Sequence, residues 1–180
     1  MLRRLAVVMF WLSLGLPVRA GMIGDLVSLT WYDPNTSTIY LGPATATVGA
    51  GVEFPASTFP SNPAIIVDLT DTTIIFSGGY DGSNFSPPSF NGFGIFDQTN
   101  QNFIEVTVLS SANGWSSFDP GRVSFDSGHI YVDFTGLPLN TANQVVLDVS
   151  TTPEPGTLAL LAAGLIGLGV AKRRFGASPR

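Results

Sequence analysis

The chain has 180 residues, a net charge of −5 and no cysteine, so disulfides, thiol chemistry, iron–sulfur clusters and cysteine-based zinc sites are excluded. Between residues 21 and 152 twelve carboxylates face a single basic residue, Arg122, leaving eleven net negative charges. Such a body is repelled by phosphate backbones, which excludes nucleic acid as a partner.

The N-terminal block reads MLRRLAVVMFWLSLGLPVRA. Arg3 and Arg4 supply a basic start, Leu5 to Leu16 an apolar run too short to span a bilayer, and Pro17 a helix break. Val18-Arg19-Ala20 then offers small residues where a signal peptidase needs them. Residues 1–20 are expected to be a signal peptide cut after Ala20, with signal peptidase as a processing partner.

From residue 21 to 150 the apolar pattern has a period of two, which marks strands with one wet face. Leu26 to Tyr32 sets Val27, Leu29 and Trp31 on one side. Short strands are expected at Thr38–Leu41, Ala44–Val48, Ile65–Leu69, Thr73–Ser77 and Phe93–Phe96. In Phe103 to Leu109 the residues Ile104, Val106 and Val108 share a face. Arg122–Asp126, His129–Phe134 and Gln144–Val149 complete about ten strands. Turn signals such as Asp33-Pro34-Asn35, Asn113-Gly114 and Asp119-Pro120-Gly121 separate them. The expectation is an all-β body, an antiparallel β-sandwich of jelly-roll-like type. Its longest irregular stretch, GGYDGSNFSPPSFNG from Gly78 to Gly92, reads as a crossover between sheets or a functional loop.

Catalysis finds no constellation. His129, the sole histidine, flanks a turn and reads as a solvated surface residue, and no G-x-S-x-G elbow exists, so no serine triad can be assigned. Paired-carboxylate hydrolysis would need two acids to converge, and most aspartates sit in turns or at outward strand positions. The chain is therefore read as not an enzyme and without a cofactor. Asp68, Asp71 and Asp81 offer oxygen ligands for calcium but lack the D-x-[DN]-x-[DN]-G spacing. Trp115 and Tyr80, both near turns, are the aromatics expected to contact a ligand such as a sugar ring, whereas Trp31 belongs with the core.

After the body comes TTPEPGTLALLAAGLIGLGVAKRRFGASPR. Pro153 and Pro155 lack backbone N–H groups and hold their neighbours extended, so Thr151 to Gly156 should be an unpaired strip open to a protease. Thr157 can cap a helix that follows, and residues 157–174 form a short apolar span ending in the cationic cluster Lys172, Arg173 and Arg174. That cluster orients the basic end, with the tail 175–180, to the cytoplasm and the body outside.

This order of features resembles the PEP-CTERM sorting signal of Gram-negative bacteria. The resemblance rests on Pro153-Glu154-Pro155, the short span and the basic end Lys172–Arg174. It implies recognition by an integral-membrane exosortase, an inner-membrane-anchored intermediate, and delivery to the cell surface or matrix, often near exopolysaccharide. Thr152 stands where the family often has valine, and the chain continues past the usual end to Arg180. The role expected of the body is structural or adhesive, the alternative being a carbohydrate- or calcium-dependent binding module.

Overall fold

The structure is a computed structural model that describes residues 21–60, 62, 64–82, 84–99, 103–152, 161–162 and 164–169. Nine strands form among them: β1 (Leu26–Tyr32), β2 (Ile39–Thr47), β3 (Ile65–Leu69), β4 (Thr73–Gly78) and β5 (Gly92–Asp97), then β6 (Phe103–Ala112), β7 (Val123–Phe125), β8 (His129–Asp133) and β9 (Gln144–Thr151). Every pairing is antiparallel. Two sheets result, ordered β2-β1-β5-β8-β7 and β3-β4-β9-β6.

The all-β, antiparallel expectation holds. Jelly-roll topology does not. The strands divide five and four, and β1 and β9 lie in different sheets, whereas a jelly roll winds eight strands into two Greek keys.

Period-two patterning explains how the sheets bury their faces. Val27, Leu29 and Trp31 of β1, Phe93 and Ile95 of β5, and Val145, Leu147 and Val149 of β9 all enter one core cluster. Phe134, just past β8, is its hub. Its ring centroid lies 4.8 Å from Trp115, 5.3 Å from Phe85, 5.6 Å from Phe76, 5.8 Å from Phe118 and 6.0 Å from Phe93. Rings from both sheets and from the connecting loops thus meet at one point, which compensates for the missing disulfides.

Three local expectations are corrected. The strands read at Thr38–Leu41 and Ala44–Val48 are one strand, β2, which runs through Gly42-Pro43. Gly42 has φ of +103°, and a Cβ there would sit 2.9 Å from the Leu29 carbonyl, so only glycine keeps the pairing. β2 is an edge strand, where Pro43 costs no central ladder bond. Ile104 is 57% exposed instead of sharing the Val106 face, because the register shifts between Phe103 and Glu105. Thr151, expected in an unpaired strip, is the last residue of β9 and pairs with Phe103.

Residues 161–162 and 164–169 are helical, and among the described residues no helix is long and apolar enough to cross a membrane. The signal peptide at 1–20, the motif Pro153, Glu154 and Pro155, the cluster Lys172, Arg173 and Arg174, the tail 175–180 and most of the expected span 157–174 lie outside the described residues.

Pairing registers also fix which loops are neighbours. The end of β1 meets the start of β5, which meets the end of β8. The end of β4 meets the start of β9, as does the end of β6. The β1–β2, β4–β5, β6–β7 and β8–β9 connections therefore gather at one end of the sandwich, and β9 runs from that end to the other.

Candidate functional site: a loop-end cavity and a C-terminal sorting motif

A cavity of about 180 Å³ opens among the gathered loops. Its apolar lining comes from Trp31, Phe85 and Leu139, which are all buried. Tyr40 and Tyr80 also line it; Tyr40 is half exposed and Tyr80 partly buried. The Trp31 ring meets Tyr40 edge-on at 5.2 Å and Phe85 edge-on at 5.9 Å. Polar groups complete the wall: Asp33, Asn62, Asn84, Ser86 and Asn91. Aromatic surface with a few convergent hydrogen-bonding groups is the composition of a small-molecule site.

Asn91 organises this wall. Its side chain is buried, and its Oδ1 accepts a hydrogen bond from Trp31 Nε1 at 2.8 Å. Its Nδ2 donates to Ser86 Oγ at 2.8 Å and to Asp33 Oδ2 at 3.3 Å. Ser86 Oγ also donates to Asp33 Oδ2, at 3.4 Å. Both contacts to Asp33 are long, so its carboxylate keeps acceptor capacity toward the cavity.

The β4–β5 crossover that carries half the wall is fastened on two sides. Toward β8–β9, Phe85 N–H donates to the Leu137 carbonyl at 2.9 Å, Gly82 N–H donates to Leu139 at 3.2 Å, and Asp81 Oδ1 accepts from Thr141 N–H at 2.9 Å. Toward β1–β2, Ser89 Oγ and Phe90 N–H both donate to the Pro34 carbonyl, at 2.7 and 3.1 Å. The residues read from sequence as a crossover or a functional loop are the first and line the cavity as well. Gly82 sits under the Tyr80 ring, where a Cβ would approach Cε2 to 2.3 Å.

The sequence-predicted residues fare unequally. Tyr80 lines the cavity. Trp115 does not: it is fully buried against Phe134, with Nε1 donating to the Pro138 carbonyl at 2.9 Å, so a surface ligand has no access to its ring. Trp31 is in the core as expected, and its ring also forms part of the cavity wall.

The calcium candidates do not converge. Asp71 and Asp81 flank opposite ends of β4, and among the described residues no group of three or more His, Asp or Glu can hold a metal ion. Asp68 lies beside Glu53 instead. Desolvation, then the Glu53 charge, raises its carboxyl above the ordinary value. Glu53 itself accepts from Gly49 N–H at 2.8 Å and Leu69 N–H at 2.7 Å, tying the β2–β3 connection to β3.

His129 lies away from the cavity, on the outer face of the five-stranded sheet. It stacks on Phe96 at 4.7 Å and on Tyr131 at 5.8 Å, and its Nδ1 is 3.0 Å from Asp126 Oδ1. Asp126 is held below the usual carboxylate range by the Gly128 backbone N–H and then by His129.

Compared with known families, residues 151–174 match the PEP-CTERM protein-sorting motif. The chain carries this sorting motif. The match covers the tail and leaves the sandwich aside. No curated protein and no solved structure matches the chain. The PEP-CTERM motif marks an exported protein that an exosortase sorts through a membrane-anchored intermediate.

Proposed function

We propose that the protein works at the cell surface or in the extracellular matrix of a Gram-negative bacterium, in a non-catalytic structural or adhesive role beside exopolysaccharide. The observation that carries this reading is the joining of a PEP-CTERM motif at residues 151–174 to a cysteine-free β-sandwich. The sorting motif supplies the route, with signal peptidase acting on the leader and exosortase on the tail. The sandwich supplies a body whose core needs no oxidative cross-link. Pro153, Glu154 and Pro155 would be the recognition residues, and Lys172, Arg173 and Arg174 the cationic stop.

Intact mass and fractionation test it. The parent protein is expected at the surface or in the medium, cut near the motif. A chain with Pro153 and Pro155 both replaced by alanine is expected to remain uncut in the inner membrane. Recovery of the parent in the cytosol with residues 1–20 attached would overturn the proposal.

The cavity supports a second, more specific reading, a carbohydrate-binding module. Four aromatic side chains and the carboxylate, amide and hydroxyl groups around Asn91 suit a polyhydroxylated ring. A calcium-dependent form of this module has no such support, since the candidate aspartates stand apart. Binding to a glycan array, lost on Tyr80→Ala, is the expected result; an array with no bound glycan would refute it.

A further inference from the structure

We infer that the loop-end cavity takes one uncharged hexopyranose unit of a glycan and discriminates against uronic and other acidic sugars. This rests on the carbohydrate-binding reading and narrows it to a ligand class.

Size sets the first limit. A cavity of about 180 Å³ is on the scale of one sugar ring, so a single unit of a chain is the ligand taken here. Shape sets the second. Pyranose rings carry axial C–H bonds on their faces, which pack on aromatic surface, and hydroxyls around the rim, which need hydrogen-bond partners once desolvated. Half-exposed Tyr40 and partly buried Tyr80 supply aromatic walls, and buried Trp31 lines the cavity with them. Asp33 can accept from two adjacent hydroxyls at once, and Asn84 and Ser86 offer further donors and acceptors.

Charge sets the third limit. Asp33 is the single ionisable group with a formal charge at neutral pH among the described residues lining the cavity. A carboxylate or sulfate on the ligand would meet it with no cation to offset it. Arg122, the body's one basic residue, does not line the cavity; it donates to the carbonyls of Thr135 and Asp133 at 3.0 and 3.2 Å. The surrounding body, with eleven net negative charges, opposes the approach of acidic polymers as well. A simple organic cation without hydroxyls would suit Asp33 and the aromatic rings, but leaves the amides of Asn62 and Asn84 without hydroxyls to serve. The balance favours a neutral ring rich in hydroxyls.

Preorganisation makes the site capable of selecting. Asn91 is held by Trp31 and Ser86 at 2.8 Å each, and the crossover is fastened to both neighbouring loops, so little ordering is required on binding.

The test is a nuclear magnetic resonance titration of the full-length chain in a sugar-free polyoxyethylene detergent. Three probes are used: methyl hexopyranosides, the corresponding methyl uronosides, and the amino-sugar glycosides. At least one neutral glycoside is expected to shift resonances of Asp33, Tyr80 and Ser86, with a dissociation constant in about the millimolar range for one ring. The uronosides are expected at least about tenfold weaker, and Tyr80→Ala and Asp33→Asn to weaken the neutral sugar about tenfold each, with the dispersion of the other resonances showing that each variant stays folded. Gly82→Ala, which tilts the Tyr80 ring without deleting it, is expected to weaken binding too.

Uronosides or amino sugars binding the cavity as tightly as the neutral glycoside would overturn the class assigned here and leave carbohydrate binding intact. Neutral binding untouched by both Asp33→Asn and Tyr80→Ala would overturn the site. A titration in which no saccharide shifts any resonance would remove the carbohydrate reading itself, and this inference with it.

Discussion

Replacing Asn91 by alanine is the sharpest test of how the loop end is built. The side chain is 3% exposed and satisfies Trp31 Nε1, which is itself on a 4% exposed residue. Truncation leaves that indole N–H without its acceptor, at about 1–3 kcal/mol. The backbone of residue 91 is held independently, since its N–H donates to Thr135 Oγ1 at 2.8 Å and its carbonyl accepts from Phe134 at 3.0 Å. The loss should therefore be local, about 2 kcal/mol. For a body of about 130 residues that lowers the melting temperature by about 6–8 °C. Thermal unfolding followed by circular dichroism reads it directly. Asn91→Asp gives the complementary result: it keeps an acceptor for Trp31 but sets a second carboxylate against Asp33, so it should melt lowest at neutral pH and recover on acidification. If Asn91→Ala melted within a degree of the parent, the hydrogen bond from Trp31 would carry no energy and the account of the wall would be wrong.

Asp68→Asn should raise the melting temperature at pH 7 by about 1–3 °C, because a partly exposed like-charge pair costs under about 1 kcal/mol. The raised carboxyl holds its proton in the fold at pH values above 3.8 where the unfolded chain has lost it, so the parent loses stability as pH rises through that window. A melting series against pH should show the advantage of the variant vanish below 3.8, and an advantage that persisted there would contradict the Glu53 pairing. Trp115→Ala should cost about 3–5 kcal/mol by chemical denaturation, as expected of a fully buried indole. Trp115→Phe should cost about 1–2 kcal/mol, since the Pro138 carbonyl still receives Asn143 Nδ2 at 2.7 Å. Gly82→Ala should change stability by less than about 0.5 kcal/mol, because the clash falls on the far edge of the Tyr80 ring, yet the Tyr80 ring resonances should move.

Strand positions were legible because alternation is local: Leu26–Tyr32 and Ile65–Leu69 can be read from the residues they contain and have those bounds. Topology was not, since β5 inserts between β1 and β8 and nothing in its own six residues says so. The cavity was half legible for the same reason. Tyr80 stands out beside a turn, but Asp33 looks like any turn aspartate until the pairing of β1 with β5 carries it to Asn91. Trp115 misled because proximity to Asn113-Gly114 says nothing about where a large ring points, and here burial against Phe134 outweighs exposure. The tail is the opposite case, a motif whose residues are contiguous and need no fold to bring them together.

The direction of β9 bears on presentation. It starts at Gln144 among the cavity loops and ends at Thr151, where the sorting motif begins, so about 25 Å of strand separates the two poles. The sorting motif thus joins the sandwich at the pole remote from the cavity. On the carbohydrate-binding reading proposed above, a tethered chain would keep its attachment point and its glycan mouth at opposite poles.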